Sequence, residues 1–164
     1  MIIYLAGPKF SLAERTFYAA FAQLLERHLC SSDLVLQQNQ AASPEAVGSA
    51  ERPVDFLRRI CKESMDHIHQ CDAVVALLDG DDADAGTCVE LGYAKGKGKL
   101  IVGVRTDCRQ CEDRGLNLMV SNICSHLVIK PSSFVTIDEL AEEVVSYLRA
   151  TLRFQAAPAA GSLA

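Results

Sequence analysis

The stretch Cys71–Ala94, CDAVVALLDGDDADAGTCVELGYA, decides how the rest of this chain is read. It opens with an apolar run, Ala73 to Leu78, short enough and β-branched enough to be a buried strand. An acidic, glycine-containing loop follows (Asp79, Gly80, Asp81, Asp82, Asp84, Gly86). Then comes a segment of helical character in which Glu90 is followed by Leu91, Gly92, Tyr93 and Ala94. Aspartates crowded at the end of a buried strand repel one another, and in parallel α/β sheets that carboxyl edge is where ligands bind. A carboxylate just inside the next helix points back toward the same crevice. The stretch reads as an active site that uses carboxylates.

On the N-terminal side, Ile2 to Ala6 is a first strand, broken by Gly7-Pro8. Ser11, with Glu14 three residues on, forms a capping-box pattern that opens a helix running to about residue 29. Leu34 to Leu36 reads as a second strand, and residues 39–52, with Pro44 and Gly48, as a mobile loop of functional length. Pro53 to Gln70 is a second helix with an apolar face of Phe56, Leu57, Ile60 and Ile68. Beyond the central stretch, KGKGK reads as a helix C-cap and turn. Leu100 to Val104 is a fourth strand, Leu116 to Ile123 a short helix, and Leu127 to Ile129 a fifth strand. A last helix runs from about Thr136 to Arg153, and residues 154–164 form a disordered tail behind a single domain over 1–153.

Strands alternating with helices imply a parallel sheet covered on both faces. The expected fold is α/β: a flavodoxin-like, doubly wound five-stranded parallel sheet in the order 2-1-3-4-5. Strands one and three then straddle the switch point, which brings Tyr4 and the Gly7-Pro8 turn beside the acidic loop.

Composition narrows the classes. A chain of 164 residues, 49% hydrophobic and 23% charged, has the makeup of one globular domain. A net charge of −5 argues against a nucleic-acid backbone as partner. No apolar run reaches the roughly 20 residues of a membrane span, so no membrane partner is expected. The N-terminus lacks the features of a signal peptide. Seven cysteines in no framework spacing then read as reduced thiols, which places the protein in the cytoplasm.

Several motifs bear on chemistry. DGDDADAGTCVE superficially resembles a calcium loop, but its glycine is misplaced and a strand enters it, so no metal is expected. Cys108 and Cys111 form a lone C-x-x-C without a second ligand pair, and read as loop cysteines. His67 and His69 fall on the polar side of their helix and do not share a face. GPKFS is neither a dinucleotide fingerprint nor a P-loop, and no cofactor is expected. An aspartate paired with Glu90 would supply the two carboxylates of a glycosidic-bond enzyme, and a close pair favours retention of configuration.

Together, IYLAGPKFSLAER, DAVVALLDGDDADAGTCVELGYAKGKGK, the RTD that follows, and LNLMVSN resemble the nucleoside 2-deoxyribosyltransferases, over most of residues 1–130. The resemblance implies transfer of 2-deoxyribose between nucleobases, by a retaining ping-pong route through a deoxyribosyl-enzyme. Glu90 would be the nucleophile, Asp84 would pass protons to and from the base, and Tyr4 would orient the nucleophile. Gly7, Phe10, Asp79 and Gly86 would lie on the substrate-binding side. Asn117 and Met119 match a motif that completes a neighbouring subunit's site, which implies a homo-oligomer with nucleosides and nucleobases as its small-molecule partners. Where family members commonly carry Asp or Asn, this chain has Ser64, with Asp66 two residues on. The alternatives are an N-glycosidase that hydrolyses deoxynucleosides or their 5′-monophosphates, and a nucleoside-binding domain without turnover.

Overall fold

The computed structural model describes residues 1–29, 35–38, 53–109 and 115–156. Five strands, β1 (Ile2–Ala6), β2 (Val35–Gln38), β3 (Ala73–Leu77), β4 (Leu100–Arg105) and β5 (His126–Ile129), form one sheet in the order β2-β1-β3-β4-β5. Every pairing is parallel, with Tyr4 beside Val74 and Val75 beside Val102. The connecting helices are α1 (Leu12–Leu29), α2 (Pro53–Gln70), α3 (Ala85–Gly96), α4 (Leu118–Ile123) and α5 (Ile137–Ala156).

Strand periodicity sorts the sheet's side chains into two cores. Ile3, Leu5, Val75, Leu77, Val102 and Val104 pack against Phe21 and Leu25 of α1 and Val144 and Leu148 of α5. On the other face Tyr4, Ala6, Val74, Ala76, Leu78 and Ile101 pack against Ile68 of α2, Leu91 and Ala94 of α3, and Val120 of α4. All five residues of β3 are buried, as a central parallel strand requires.

Local chemistry sets the helix ends. Ser11 and Glu14 form the reciprocal capping box, with Ser11 N donating to Glu14 Oε2 at 2.6 Å and Glu14 N to Ser11 Oγ at 3.1 Å. Thr136 and Glu139 repeat it at α5, at 2.8 and 3.2 Å. The C-terminus of α1 is closed from α5, where Arg149 donates to the carbonyls of His28 and Leu29. Lys97 N and Gly98 N donate back to carbonyls of α3, so KGKGK is a helix end and turn.

Several boundaries move. The fourth helix starts at Leu118 rather than 116, because Asn117 caps it through bonds from Met119 N and Val120 N. β4 and β5 each gain a residue, at Arg105 and His126. β2 runs on to Gln38, while Leu34 lies outside the described residues. α5 continues to Ala156, three residues into the expected tail. The loop expected over 39–52 and the remainder of that tail, 157–164, also lie outside the described residues. No described helix is long and apolar enough to cross a membrane.

Candidate active site

The alternation that buries Tyr4 also aims it. Tyr4 is fully buried on β1, on the sheet face that α2 and α3 cover. Its hydroxyl donates to Glu90 Oε1 at 2.7 Å. Glu90, one turn into α3, lines a cleft of about 550 Å³ together with Gly7, Pro8, Lys9 and Phe10 from the β1–α1 turn. Leu57, Ile60, Cys61, Ser64 and Met65 of α2 form the opposite wall, and Asp84, Gly86, Thr87 and Val89 the α3 side. The cleft is thus an apolar groove with two carboxylates at one end.

Asp84 is the N-cap of α3: its Oδ2 accepts from Thr87 N at 2.8 Å and from Thr87 Oγ1 at 3.0 Å. A carboxylate in that position suits the positive end of the helix. It fixes one Asp84 oxygen on the rim of the cleft. Gly7 has φ 155°, a backbone conformation open to glycine, and a Cβ there would stand 3.0 Å from Leu77 Cβ. Phe10 is 79% exposed at the mouth.

The electrostatics favour a proton-sensitive site. Burial raises the Glu90 carboxyl above the ordinary glutamate range; the bond from Tyr4 opposes this, the charge of Asp84 adds to it, and Lys9 and Ser64 lower it. The Tyr4 phenol is driven well above its usual range, first by burial and then by the Glu90 charge. Tyr4 therefore stays protonated and donates. Lys9 is pulled down to about 8 by desolvation, against the pull of Glu90.

Of the residues singled out from sequence, Tyr4, Gly7, Phe10, Asp84, Gly86 and Glu90 converge on this cleft. Asp79 does not. Its Oδ1 accepts from Thr106 N at 2.5 Å and from Asp107 N at 2.9 Å, and its Oδ2 from Thr106 Oγ1 at 2.5 Å. It continues the phase of Leu77, whose side chain belongs to the α1 face, and lines a separate hollow with Pro8, Ala13 and Phe17. The carboxylate is spent on tying the acidic loop to the end of β4. Buried Arg105 completes the tie, donating to Leu78 O at 2.7 Å and Gly80 O at 3.0 Å.

Asn117 and Met119 lie outside the cleft of their own chain. Asn117 is occupied as the α4 cap, while Leu118 and Met119 are 60% and 72% exposed. Asp66 is exposed and paired with Lys62 at 2.8 Å, away from the cleft. His67, expected on a polar helix side, is half-buried with its ring centroid 6.4 Å from that of Tyr4. Its Nδ1 is buried without a hydrogen-bond partner among the described residues. Ser64, the departure from the family's Asp or Asn, lines the cleft from α2, and one further cleft residue carries no clear signal in the sequence: Lys9, whose charge in a turn reads as solvated. Cys108 is exposed and Cys111 lies outside the described residues. Among the described residues no cluster of His, Cys, Asp or Glu is placed to hold a metal ion.

A family model described as nucleoside 2-deoxyribosyltransferase matches residues 3–121. No curated protein matches the chain by sequence. Among solved structures, a conserved protein from Enterococcus faecalis superposes with a TM-score of 0.66 at 24% identity, over 90% of this chain and 99% of the other. A 2-deoxyribosyltransferase from Bacillus psychrosaccharolyticus gives 0.62 at 19% identity, over 93% and 96%. A CMP N-glycosidase from Clostridium botulinum gives 0.57 at 16%, over 90% and 100%. At these identities the likeness to the solved structures is one of fold.

Proposed function

Because the chain belongs to the nucleoside 2-deoxyribosyltransferase family, we propose that it transfers 2-deoxyribose from one nucleobase to another through a covalent intermediate on Glu90. The observation that carries this reading is the Tyr4–Glu90 hydrogen bond of 2.7 Å in the cleft that Asp84 also lines. It holds one carboxylate in a fixed orientation with a second on the same rim, the arrangement a retaining displacement needs.

The first step forms a bond between a Glu90 oxygen and C1′ of the sugar as the C1′–N bond breaks. The bonding electrons leave with the base, which takes a proton by way of Asp84. In the second step a nitrogen of the incoming base attacks C1′ and gives up its proton to Asp84. The C1′–O bond breaks as the new C1′–N bond forms, and its electrons restore the Glu90 carboxylate. Two inversions give overall retention. Tyr4 keeps Glu90 pointed at the reacting carbon and stabilises its charge whenever it is free. Gly7, Phe10 and Gly86 shape the wall along the base, and the apolar residues of α2 supply a stacking surface.

The exposed Leu118 and Met119 support a homo-oligomer, in which Asn117 and Met119 complete the site of a neighbouring copy. A second reading, hydrolysis, is favoured by the exposure of Phe10, 79%, at the mouth of the cleft.

The test is to incubate the protein with thymidine or deoxyinosine, with and without adenine or cytosine. A new deoxynucleoside formed only when a base is added is the expected result. Base released at one rate with or without an acceptor would move the assignment to the hydrolase. No turnover of these nucleosides or their 5′-monophosphates would overturn the enzyme reading.

A further inference from the structure

Among the described residues lining the cleft, Lys9 alone carries a positive charge. Its Nζ sits 3.9 Å from the centroid of the Tyr18 ring, within range of a cation–π contact. That seat does not drift, because Tyr18 is buried in α1 and its hydroxyl donates to Leu5 O of β1 at 2.5 Å. The turn carrying Lys9 is also pinned. Arg15 donates to the carbonyls of Lys9 and Phe10, and Glu14 accepts from Phe10 N and Ser11 N. The ammonium is therefore a charge fixed on the wall facing Glu90, where an ordinary turn lysine would sweep through solvent.

We propose that Lys9 is a positioning residue for the glycosidic reaction: its ammonium, seated on the Tyr18 ring, is the counter-charge that keeps Glu90 ionised beside Asp84. The inference rests on Glu90 being the nucleophile. A second carboxylate at the same end of an apolar cleft works against ionisation of the first, and burial works in the same direction. The groups that bear on Glu90 are Tyr4 from β1, Tyr18 from α1, Ser64 from α2, Asp84 from the start of α3, and Lys9. Tyr4 and Ser64 help by hydrogen bonding, and only Lys9 among them supplies positive charge. Lys9 is absent from the chemistry of C1′ and sets how far into acid the nucleophile remains available.

The direction of the effect is fixed by sign. A cation favours the charged carboxylate, so removing it raises the pH at which Glu90 ionises. The loss falls on the acid limb of the profile. At pH values above about 8, where Lys9 loses its own proton, Glu90 is already ionised and little further change follows.

The test compares kcat/KM against pH for the wild-type protein, Lys9→Met and Lys9→Arg, in the base-exchange assay. Lys9→Met should move the acid limb up by about one pH unit, which costs about tenfold at the acid end. Lys9→Arg should restore the limb. A limb unmoved in Lys9→Met, or moved equally in Lys9→Arg, overturns the proposal. A substrate-free readout separates this from the reaction assignment: the Glu90 carboxyl band, titrated by infrared difference against Glu90→Gln. A higher midpoint in Lys9→Met supports the electrostatic role, and an unchanged one refutes it. Base exchange persisting in Glu90→Gln would sink the assignment of Glu90 as the nucleophile, with the infrared result standing.

Discussion

Tyr4 and Glu90 lie 86 residues apart in the chain and share a hydrogen bond of 2.7 Å. One rides on the strand beside the centre of the sheet, the other on the helix that follows its neighbouring strand. The bond stabilises the charged form of Glu90. Tyr4→Phe keeps the buried ring and removes only the donor. Its acid limb should move upward in the pH profile, its kcat should fall on the order of tenfold, and folding stability should drop by about 1 kcal/mol. A pH profile superposable on the wild type would show that the hydroxyl does not act on Glu90.

Glu90→Gln should abolish exchange, by at least about 10³-fold, because an amide cannot form and release the sugar ester. The same variant should be more thermostable than the wild type near neutral pH. Burial raises the folded-state ionisation of Glu90 above its unfolded value. The folded protein then binds the proton more tightly, so this residue's contribution to stability is fully present below the unfolded value and lost as pH rises through the folded one. Calorimetry across that window should show the variant's advantage growing with pH and vanishing in acid.

Asp79→Ala should destabilise the fold before it changes the chemistry. It strands the N–H groups of Thr106 and Asp107 and the Thr106 hydroxyl, all of which now donate to one carboxylate. The expected cost is about 2–3 kcal/mol, or roughly 5–10 °C in Tm for a domain of this size. Asp79→Asn, which keeps an acceptor, should lose less. A Tm unchanged in Asp79→Ala would mean that the loop is held without this clasp.

Gly103→Ala tests the packing under the site. A Cβ at Gly103 would fall 2.7 Å from Leu78 Cδ1, 2.7 Å from Leu127 Cδ2 and 3.1 Å from Cys124 Sγ. Overpacking of this kind costs about 1–3 kcal/mol, to be read as a lower denaturation midpoint with an unchanged slope.

The strands and the order of the sheet could be read from Cys71–Ala94 and its flanking repeats, because a fully buried parallel strand leaves an unbroken apolar run and each crossover an amphipathic helix. Asp79 shows where such reading needs a finer rule. Placed at the ligand edge it looks like a site residue, yet it shares the phase of Leu77 and turns to the α1 face. Applying the two-residue alternation one step past the strand would have separated it from the Glu90 side. Tyr4 falls on the Glu90 side by the same alternation, since it is in phase with Val74 on the α3 face. Lys9 escapes any periodic rule, because a turn has no period and its aromatic seat comes from another element. His67 turns inward because it follows Ile60 by seven residues and Ser64 by three, on the same stripe of α2.

The two tyrosines at the cleft carry a further consequence, one for optics. The chain has no tryptophan and four tyrosines, so its ultraviolet emission comes from phenol rings alone. Tyr4 is bonded to a carboxylate, a contact that drains phenol fluorescence, and Tyr18 lies under an ammonium. The protein thus has a built-in lamp at its cleft, dimmed while Glu90 is charged and free. Protonating Glu90, or esterifying it with a sugar, should brighten the emission without any added label.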